Sequence, residues 1–386
     1  MNQEIIPYGR QNITDEDIDS VVKTLKGDFL TQGPSVSQFE SAFAEYTGSK
    51  YAVAVSNGTA ALHLCAMVLK IDSGINVITT PITFAASANC VRYCGGNVYF
   101  ADIDPKTWTL DIEKVKKLIK SKPKGFFSGI IVVDFAGYAV DLEAYKILTE
   151  EHDLWLLQDS CHSPGGFFID SNKIKQHCGN STYANMAIFS FHPVKHIACG
   201  EGGMIVTNDE KIYKELLLLR THGITKETSL MNENHGGWYY EMQQLGYNYR
   251  LTDFQAALGI SQLKRADEGL ARRREIARVY TEAFQNKPYI KGLSGFIEGH
   301  AYHLYIIRTA DRKGLYDFLK SNNVYCQVHY IPVHLFPYYK QFGWNEGDFP
   351  ESEKFYDECL SIPMFPTLTD IQQSRVINLI SSYFEK

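Results

Sequence analysis

The sequence predicts an α/β protein: a mostly parallel central sheet in a large N-terminal domain, followed by a small α+β C-terminal domain. Three observations predict it. Short apolar runs such as YAVAV (51–55) and GIIVV (129–133) alternate with helical stretches through the N-terminal half. Strands that read as continuous apolar runs are buried on both faces, with helices as the crossovers. The chain has 386 residues, more than one core usually holds, so two domains are expected, 1–265 and 266–386. Finally, MAIFSFHPVKHIACGEGGM (186–204) hangs a polar loop between two apolar strands. Such a mount holds side chains rigidly enough for chemistry.

In order, residues 15–25 form a helix capped by Thr14, 27–34 a loop, and 36–46 a second helix. The strand at 51–55 runs into Ser56-Asn57-Gly58-Thr59, and 60–69 is strongly helical. Strand, glycine turn and helix start together bind anions, because the first N–H groups of a helix are free and its dipole favours negative charge. The next strand, 77–80, ends just before Phe84, which places that ring on the usual ligand side of an α/β sheet. There it either stacks on a flat heterocycle or packs as core. Strands at 97–101 and 129–133 and helices at 112–119 and 141–151 follow. A strand at 154–157 ends in Gln158-Asp159-Ser160-Cys161-His162-Ser163, so Asp159 is either a cap or a functional anion.

Beyond the loop at 186–204, residues 210–219 form a helix, 222–245 are irregular, and 253–284 form one long helix on which the second domain is hinged. That domain reads as strand 303–308, helix 314–321, strand 324–329, and helices near 351–360 and 369–384. Gln327, Val328, His329 and Tyr330 lie at a strand end, either facing the cleft or forming a buried turn.

Hydrophobic content of 45% and charged content of 21% are ordinary for a soluble globular protein. A net charge of −6 argues against nucleic acid as the main partner. The opening MNQEIIPYGRQ lacks the apolar core of a signal peptide, and no run approaches a membrane span. A cytoplasmic protein with no membrane partner is expected. The eight cysteines form no C-x-x-C pair and read as reduced thiols. Cys161-His162 and His177-Cys178 lack regular ligand spacing, so no metal site is expected.

Lys195 stands at the apex of the polar loop. A lone lysine in a loop is ordinarily a solvated charge, but apolar strands flank this one. An amine in a partly desolvated pocket has a lowered pKa and attacks carbonyls to form a Schiff base. Ser190, upstream, is within reach of an anion near that amine. A Schiff-base lysine, a carboxylate, an aromatic plate and a phosphate cradle together meet the needs of pyridoxal 5'-phosphate.

The motifs SNGTAAL, TTPITFAASAN, LQDSCHSPGG, FSFHPVKHIACGEGGMIVTND, LRTHGI and GYNYRLTDFQAALGISQLKR run in order over nearly the whole chain. On them the sequence resembles the DegT/DnrJ/EryC1 family of sugar aminotransferases, which have the aspartate aminotransferase (type I) fold. FSFHPVK, DSCHS, WYYEMQQLGYNYRLTD and QVHYIPV look most like the branch that acts in pseudaminic acid biosynthesis. The resemblance implies that Lys195 bonds the cofactor and acts as general base, that Asp159 pairs with the pyridinium nitrogen, and that His162 sits by the phenolic oxygen. It implies that Phe84 stacks on the ring, and that Gly58, Thr59, Ala60 and Ser190 hold the phosphate. Asn248 would reach the phosphate from the neighbouring subunit of a homodimer with shared sites. Tyr8, Asp28, Phe29, Leu30, Thr31, Asn57, Gln327, Val328, His329 and Tyr330 match segments that line the sugar-nucleotide cleft in that branch. His196 follows Lys195 where proline is usual there.

The implied activity is two-step transfer. L-glutamate gives its amino group and leaves as 2-oxoglutarate. The amine then passes to the ketone of a UDP-linked 4-keto-6-deoxy hexose, with Lys195 moving the proton. The alternatives are a GDP- or dTDP-linked keto-sugar as acceptor, or a cofactor-binding regulator without turnover.

Overall fold

Seven strands build the central sheet of this computed structural model, which describes residues 4–292 and 295–385. In chain order they are β1 (Tyr51–Val55), β2 (Asn76–Thr79), β3 (Asn97–Phe100), β4 (Gly129–Val133) and β5 (Trp155–Asp159). A small hairpin, β6 (Phe167–Ile169) and β7 (Lys175–His177), comes next, and β8 (Met186–Ser190) and β9 (Gly203–Thr207) complete the sheet. Its spatial order is β1-β9-β8-β5-β4-β2-β3. The run from β8 to β3 is parallel. Strand β9 is antiparallel to both its neighbours. The carboxyl ends of β1, β2, β4, β5 and β8 therefore share one edge, where α/β sheets bind ligands.

The sheet is covered on both faces because its side chains alternate with period two. Ile131, Leu157, Ile188 and Val53 point to one face, under α3 (Gly58–Val68), α4 (Ala86–Tyr93) and α7 (Glu210–Arg220). Ile130, Val132 and Leu156 point the other way, against α5 (Ile112–Lys120) and α6 (Leu142–His152). On that same side Ala187, Phe189 and Met204 meet Phe39 and Phe43 of α2 (Pro34–Thr47) and Ala256 of α8 (Asp253–Leu263). Helix α1 (Asp15–Leu25) packs on α8.

Past α8 run α9 (Ala266–Phe284), β12 (Tyr305–Arg308), α10 (Arg312–Ser321), α11 (Pro337–Lys340), α12 (Pro350–Glu358), β13 (Cys359–Ile362) and α13 (Asp370–Phe384). Ile276 and Tyr280 of α9, Leu315 and Leu319 of α10, Leu360 of β13 and Val376 of α13 form a separate apolar cluster, which Ile6 joins. The N-terminal segment reaches it through Ile6 N–H to Asn323 O and Tyr325 N–H to Ile6 O, at 2.9 and 2.8 Å.

Four elements differ from the sequence expectation. The helix expected over 253–284 breaks at Lys264-Arg265, where Arg265 adopts φ −110°, ψ 9°. Its guanidinium is drawn 2.5 Å from the fully buried carboxylate of Asp17 in α1. Residues 324–329 are not a strand: Val324 and Gln327 make only isolated bridges to Ile6 and Ser361. The partner of β12 is instead β13, inside the stretch expected to be helical to 360. Its CLSI sequence is buried throughout, and α12 ends before it. Within 222–245 a short hairpin forms, β10 (Ile224–Thr225) with β11 (Glu241–Met242).

Candidate active site

Asp159 ends β5 and is almost wholly buried. Its Oδ2 accepts a hydrogen bond from Ser87 Oγ at 2.7 Å, and its Oδ1 accepts from the Cys161 N–H at 3.1 Å. Each oxygen keeps a second acceptor position. Beneath it, Asp134 is fully buried and accepts from Gln158 Nε2, Ser160 Oγ, Ser163 Oγ and the Val140 N–H, at 2.8, 3.0, 2.6 and 3.1 Å. Burial pushes its carboxyl up to about 6, against the pull of those donors. This network fixes the turn that carries Asp159 and His162.

The end of β1 meets the start of α3 beside the hairpin of β8 and β9. A Cβ on Gly58 would lie 3.0 Å from Ser190 Cβ, and one on Gly203 would lie 2.5 Å from Asn57 O. Gly203 therefore needs glycine for the close approach of β9 to the helix start, and Gly58 lets Ser190 pack closely against it. Asn57 caps α3: its Oδ1 accepts from the Ala60 N–H at 2.8 Å. That pairing occupies one of the N–H groups expected to hold an anion. Gly58 and Thr59, ahead of it in the first turn, have no carbonyl one turn back to bond.

Lys195 projects from the loop after β8. Its Nζ makes no hydrogen bond or ion pair among the described residues. Burial pushes its pKa down; Cys161 and Asp159 counter that in part, and Arg273 adds to it. The amine thus reaches its neutral, nucleophilic form more readily than a surface lysine. His162 is buried with Nδ1 accepting from the Ala136 N–H at 3.2 Å, so its Nε2 carries the proton and faces Tyr330 Oη at 3.2 Å. Burial, then the nearby Lys195 charge, holds this ring neutral. His303 packs against it with the rings tilted by 34° and centroids 4.3 Å apart, and the His196 ring lies 5.7 Å from that of His303. Arg273, also buried, donates from Nη1 to the carbonyls of Tyr302, His303 and Met364 at 3.3, 3.2 and 3.1 Å. It pins the segment that carries His303.

These groups open on one cavity of about 870 Å³. Of the residues picked from sequence, Tyr8, Asn57, Gly58, Thr59, Ala60, Phe84, Asp159, His162, Ser190, Lys195, His329 and Tyr330 line it. Asp28, Phe29, Leu30, Thr31, Gln327, Val328 and Asn248 do not. Phe29 and Leu30 are half exposed beside α8, where Leu30 O accepts from the Asp253 N–H. Gln327 pairs with Ser361 through the backbone. Phe84 is 62% exposed and stands 6.2 Å from the Tyr330 ring, so it is no core side chain.

The sequence reading missed Ser87, His303 and an aromatic wall of His63, Tyr93, Tyr247 and Tyr249. His63 Nδ1 meets Tyr249 Oη at 3.1 Å, and Tyr247 stacks on Tyr249 at 5.1 Å. The alternation Tyr247-Asn248-Tyr249 was the available signal: in an extended segment the two rings share a face and Asn248 takes the other. An apolar-walled cavity with an amine whose pKa is pushed down, a buried carboxylate and free helix N–H groups suits carbonyl–amine chemistry on an anionic ligand.

The model of the DegT/DnrJ/EryC1/StrS aminotransferase family matches residues 11–381. The chain is 36% identical over 389 residues to the UDP-4-amino-4,6-dideoxy-N-acetyl-beta-L-altrosamine transaminase of Campylobacter jejuni, covering 99% of this chain and 98% of that one. Among solved structures it is similar to Helicobacter pylori PseC, an aminotransferase involved in the biosynthesis of pseudoaminic acid. The TM-score is 0.89 at 30% identity, over 99% of this chain and 100% of that one. The PLP-form of Spr1654 from Streptococcus pneumoniae gives a TM-score of 0.89 at 26% identity, over 99% of each chain.

Proposed function

The chain belongs to the DegT/DnrJ/EryC1/StrS aminotransferase family and is a sugar aminotransferase, and on that premise we propose that it moves the amino group of L-glutamate to the keto carbon of a UDP-linked 4-keto-6-deoxy hexose, with pyridoxal 5'-phosphate as cofactor. The observation that carries this is Lys195: an amine without a partner among the described residues, its charged form disfavoured, in the same cavity as the Asp159 carboxylate.

The residues present fit that cofactor. Asp159 has acceptor capacity to spare after Ser87 and Cys161 are served. The start of α3, with Ser190 packed against it, lines the cavity and offers its free N–H groups to an anion. When bound, pyridoxal phosphate supplies an aldehyde that condenses with amines and a ring that takes up the electron pair of a deprotonated carbon.

The chain's own groups do the rest. Asp159 accepts the ring N–H and keeps that nitrogen protonated. Lys195 carries the proton between the reacting carbons as general base and acid. The Nε2–H of His162 and the Tyr330 hydroxyl orient the ring's oxygen. Ser190 and the N–H groups of Gly58 and Thr59 hold the phosphate, with Asn57 and Ala60 completing the helix start. Phe84 covers the ring plane, and Tyr8, His329 and the tyrosine wall exclude water around the nucleotide sugar.

We extend the reading to a homodimer. Asn248 is exposed outside this chain's cavity while its neighbours line it. Trp238 and Leu245 are 75% and 72% exposed nearby. A second copy gives both a function, with Asn248 reaching the phosphate of the other site. Asp28, Phe29, Leu30 and Thr31, exposed beside α8, are assigned to that shared surface, and Gln327 and Val328 to the support of His329. The break at Lys264-Arg265 supports a division into 1–265 and 266–386. No described helix is long and apolar enough to cross a membrane, and the eight free thiols favour the cytoplasm.

The test is optical and chemical. Cofactor-loaded protein should be yellow and lose that band on adding glutamate. A panel of UDP-linked 4-keto sugars should then release 2-oxoglutarate. Release from none of them overturns the acceptor assignment, and a band indifferent to glutamate overturns the donor. Lys195→Ala should abolish transfer with the fold intact.

A further inference from the structure

Lys195 lies between two cavities. The larger is the cleft already described. The smaller, about 160 Å³, is lined by Arg10, Asn12, His196, Gln262, Arg265 and Glu268, with Gly269 and Pro366 at its edge. Lys195 is the one described residue that lines both. The rear cavity is far larger than the ~10–15 Å³ that a single water needs, and its walls are polar.

Two of those polar groups, Gln262 and Arg265, are committed to Asp17. Arg265 Nη2 and Gln262 Nε2 both donate to Asp17 Oδ2, at 2.5 and 2.6 Å, and Gln262 Nε2 also donates to Asn12 O at 2.8 Å. His196 differs. Its Nε2 lies 2.9 Å from Ala301 O, and a carbonyl only accepts, so Nε2 carries the proton. Nδ1 is then a bare acceptor. It is buried and unpartnered among the described residues, as is Arg265 Nε. A buried acceptor and a buried donor beside a polar cavity are what ordered water satisfies.

We infer that the rear cavity is a water-filled proton exit for Lys195, in which His196 acts as a positioning residue whose Nδ1 anchors the water next to the amine. This rests on the reading of Lys195 as the proton-carrying group. A nucleotide sugar filling the front cleft would exclude bulk water from that side. The amine, holding a proton taken from the reacting carbon, passes it to the anchored water, and the excess proton leaves along the rear water toward exposed Glu268. A solvent proton returns by the same path, so charge and atoms balance over the exchange. His196 stays neutral throughout, its Nε2–H fixed on Ala301.

The experiment is isotopic. An amino-sugar nucleotide deuterated at the amine-bearing carbon is run backwards through the cofactor-loaded enzyme in single turnover in ordinary water. Deuterium carried to the aldehyde-derived carbon of the cofactor, now in its amino form, is then measured by mass spectrometry. Wild type should lose most of the label to water. His196→Phe, which removes the anchor, and Gly269→Leu, which fills the cavity from α9, should each retain several-fold more. A Cβ at Gly269 meets only Pro366 Cγ, at 3.6 Å, so the second variant is expected to fold. Equal retention in wild type and both variants overturns the proposal. An X-ray structure supplies a readout apart from turnover: water within hydrogen-bond distance of His196 Nδ1 supports the exit, and a dry rear cavity overturns it. A wild-type enzyme that removes no deuterium, and keeps its yellow band with glutamate, overturns the reading of Lys195 as well.

Discussion

Ser87, in the first turn of α4, donates its hydroxyl hydrogen to Asp159 Oδ2 at 2.7 Å, joining the helix after β2 to the carboxyl end of β5. Thr83 Oγ1 stands 2.7 Å from Ser87 Oγ, so the chain of hydroxyls runs from the Phe84 turn to the carboxylate. Ser87→Ala leaves a buried carboxylate oxygen one donor short. Losing a hydrogen bond to a charged group costs about 1.5–3 kcal/mol. The expected outcome is a loss of that order in urea unfolding of cofactor-free protein, together with weaker cofactor binding by titration. Unchanged cofactor affinity would mean that Ser87 does not position Asp159.

Gly203 and Gly58 face each other across the phosphate cradle, but the atoms they would strike differ. A Cβ at 203 meets the Asn57 backbone, with O at 2.5 Å and C at 2.6 Å, whereas one at 58 meets the Ser190 side chain at 3.0 Å. Backbone cannot swing aside, and a side chain can shift by tenths of an ångström. Gly203→Ala should therefore destabilise by about 1–3 kcal/mol or more, and Gly58→Ala by less. Thermal melts rank the pair, and inorganic phosphate should protect the Gly58 variant better than the Gly203 variant. The reverse order would show that the hairpin, not the helix start, yields.

Much of this fold was legible because its strands announce themselves. GIIVV and MAIFS can be little else between turn signals, and their two-sided burial places helices on both faces. That Asp159 and the start of α3 border the cavity was legible for the same reason, since each lies at a strand's carboxyl end, with Lys195 in the loop five residues past β8. The break at Lys264-Arg265 was not, because it comes from Asp17, more than two hundred residues away in sequence, drawing the guanidinium off the helix. Strand β13 was hidden behind the helical run PESEKFYDE, whose periodicity carries on to its last residue. Ser87 lay in full view inside TFAASAN, yet only the pairing of β2 beside β4 and β5 brings its hydroxyl to a carboxylate.

Asn57 is both a cap and a wall of the cavity, and two substitutions separate the roles. Asn57→Ala frees the Ala60 N–H and should cost about 0.5–2 kcal/mol. Asn57→Asp keeps an acceptor at the cap, and the helix dipole favours its charge, so stability should hold. The same carboxylate would repel a phosphate at that helix start. The expected outcome is near-wild-type unfolding for the Asp variant with sharply weaker cofactor binding. Equal affinity in wild type and Asn57→Asp would place the anion elsewhere.

Acid should destabilise this protein through its buried imidazoles, and His300 shows the sign. Its Nδ1 accepts the Tyr302 N–H at 2.8 Å, so the ring is neutral in the fold. Burial, then the Arg274 charge, pushes its pKa down from 6.5 to about 3. The unfolded chain thus takes up a proton below pH 6.5 that the native site refuses, and stability drains as pH falls from there toward 3. His162, His196, His303 and His329 act in the same direction. Asp134, pushed up to about 6, acts in the opposite sense as pH falls through that value, but it stands against these five imidazoles and against His63, His177 and His334, which shift the same way. His300→Asn keeps an acceptor for Tyr302 and removes the titration. Urea unfolding from pH 7 to pH 4 should give the variant an acid limb shallower by up to about 1.4 kcal/mol per pH unit. Parallel limbs would mean that His300 is protonated in the native state, with Arg274 displaced from it.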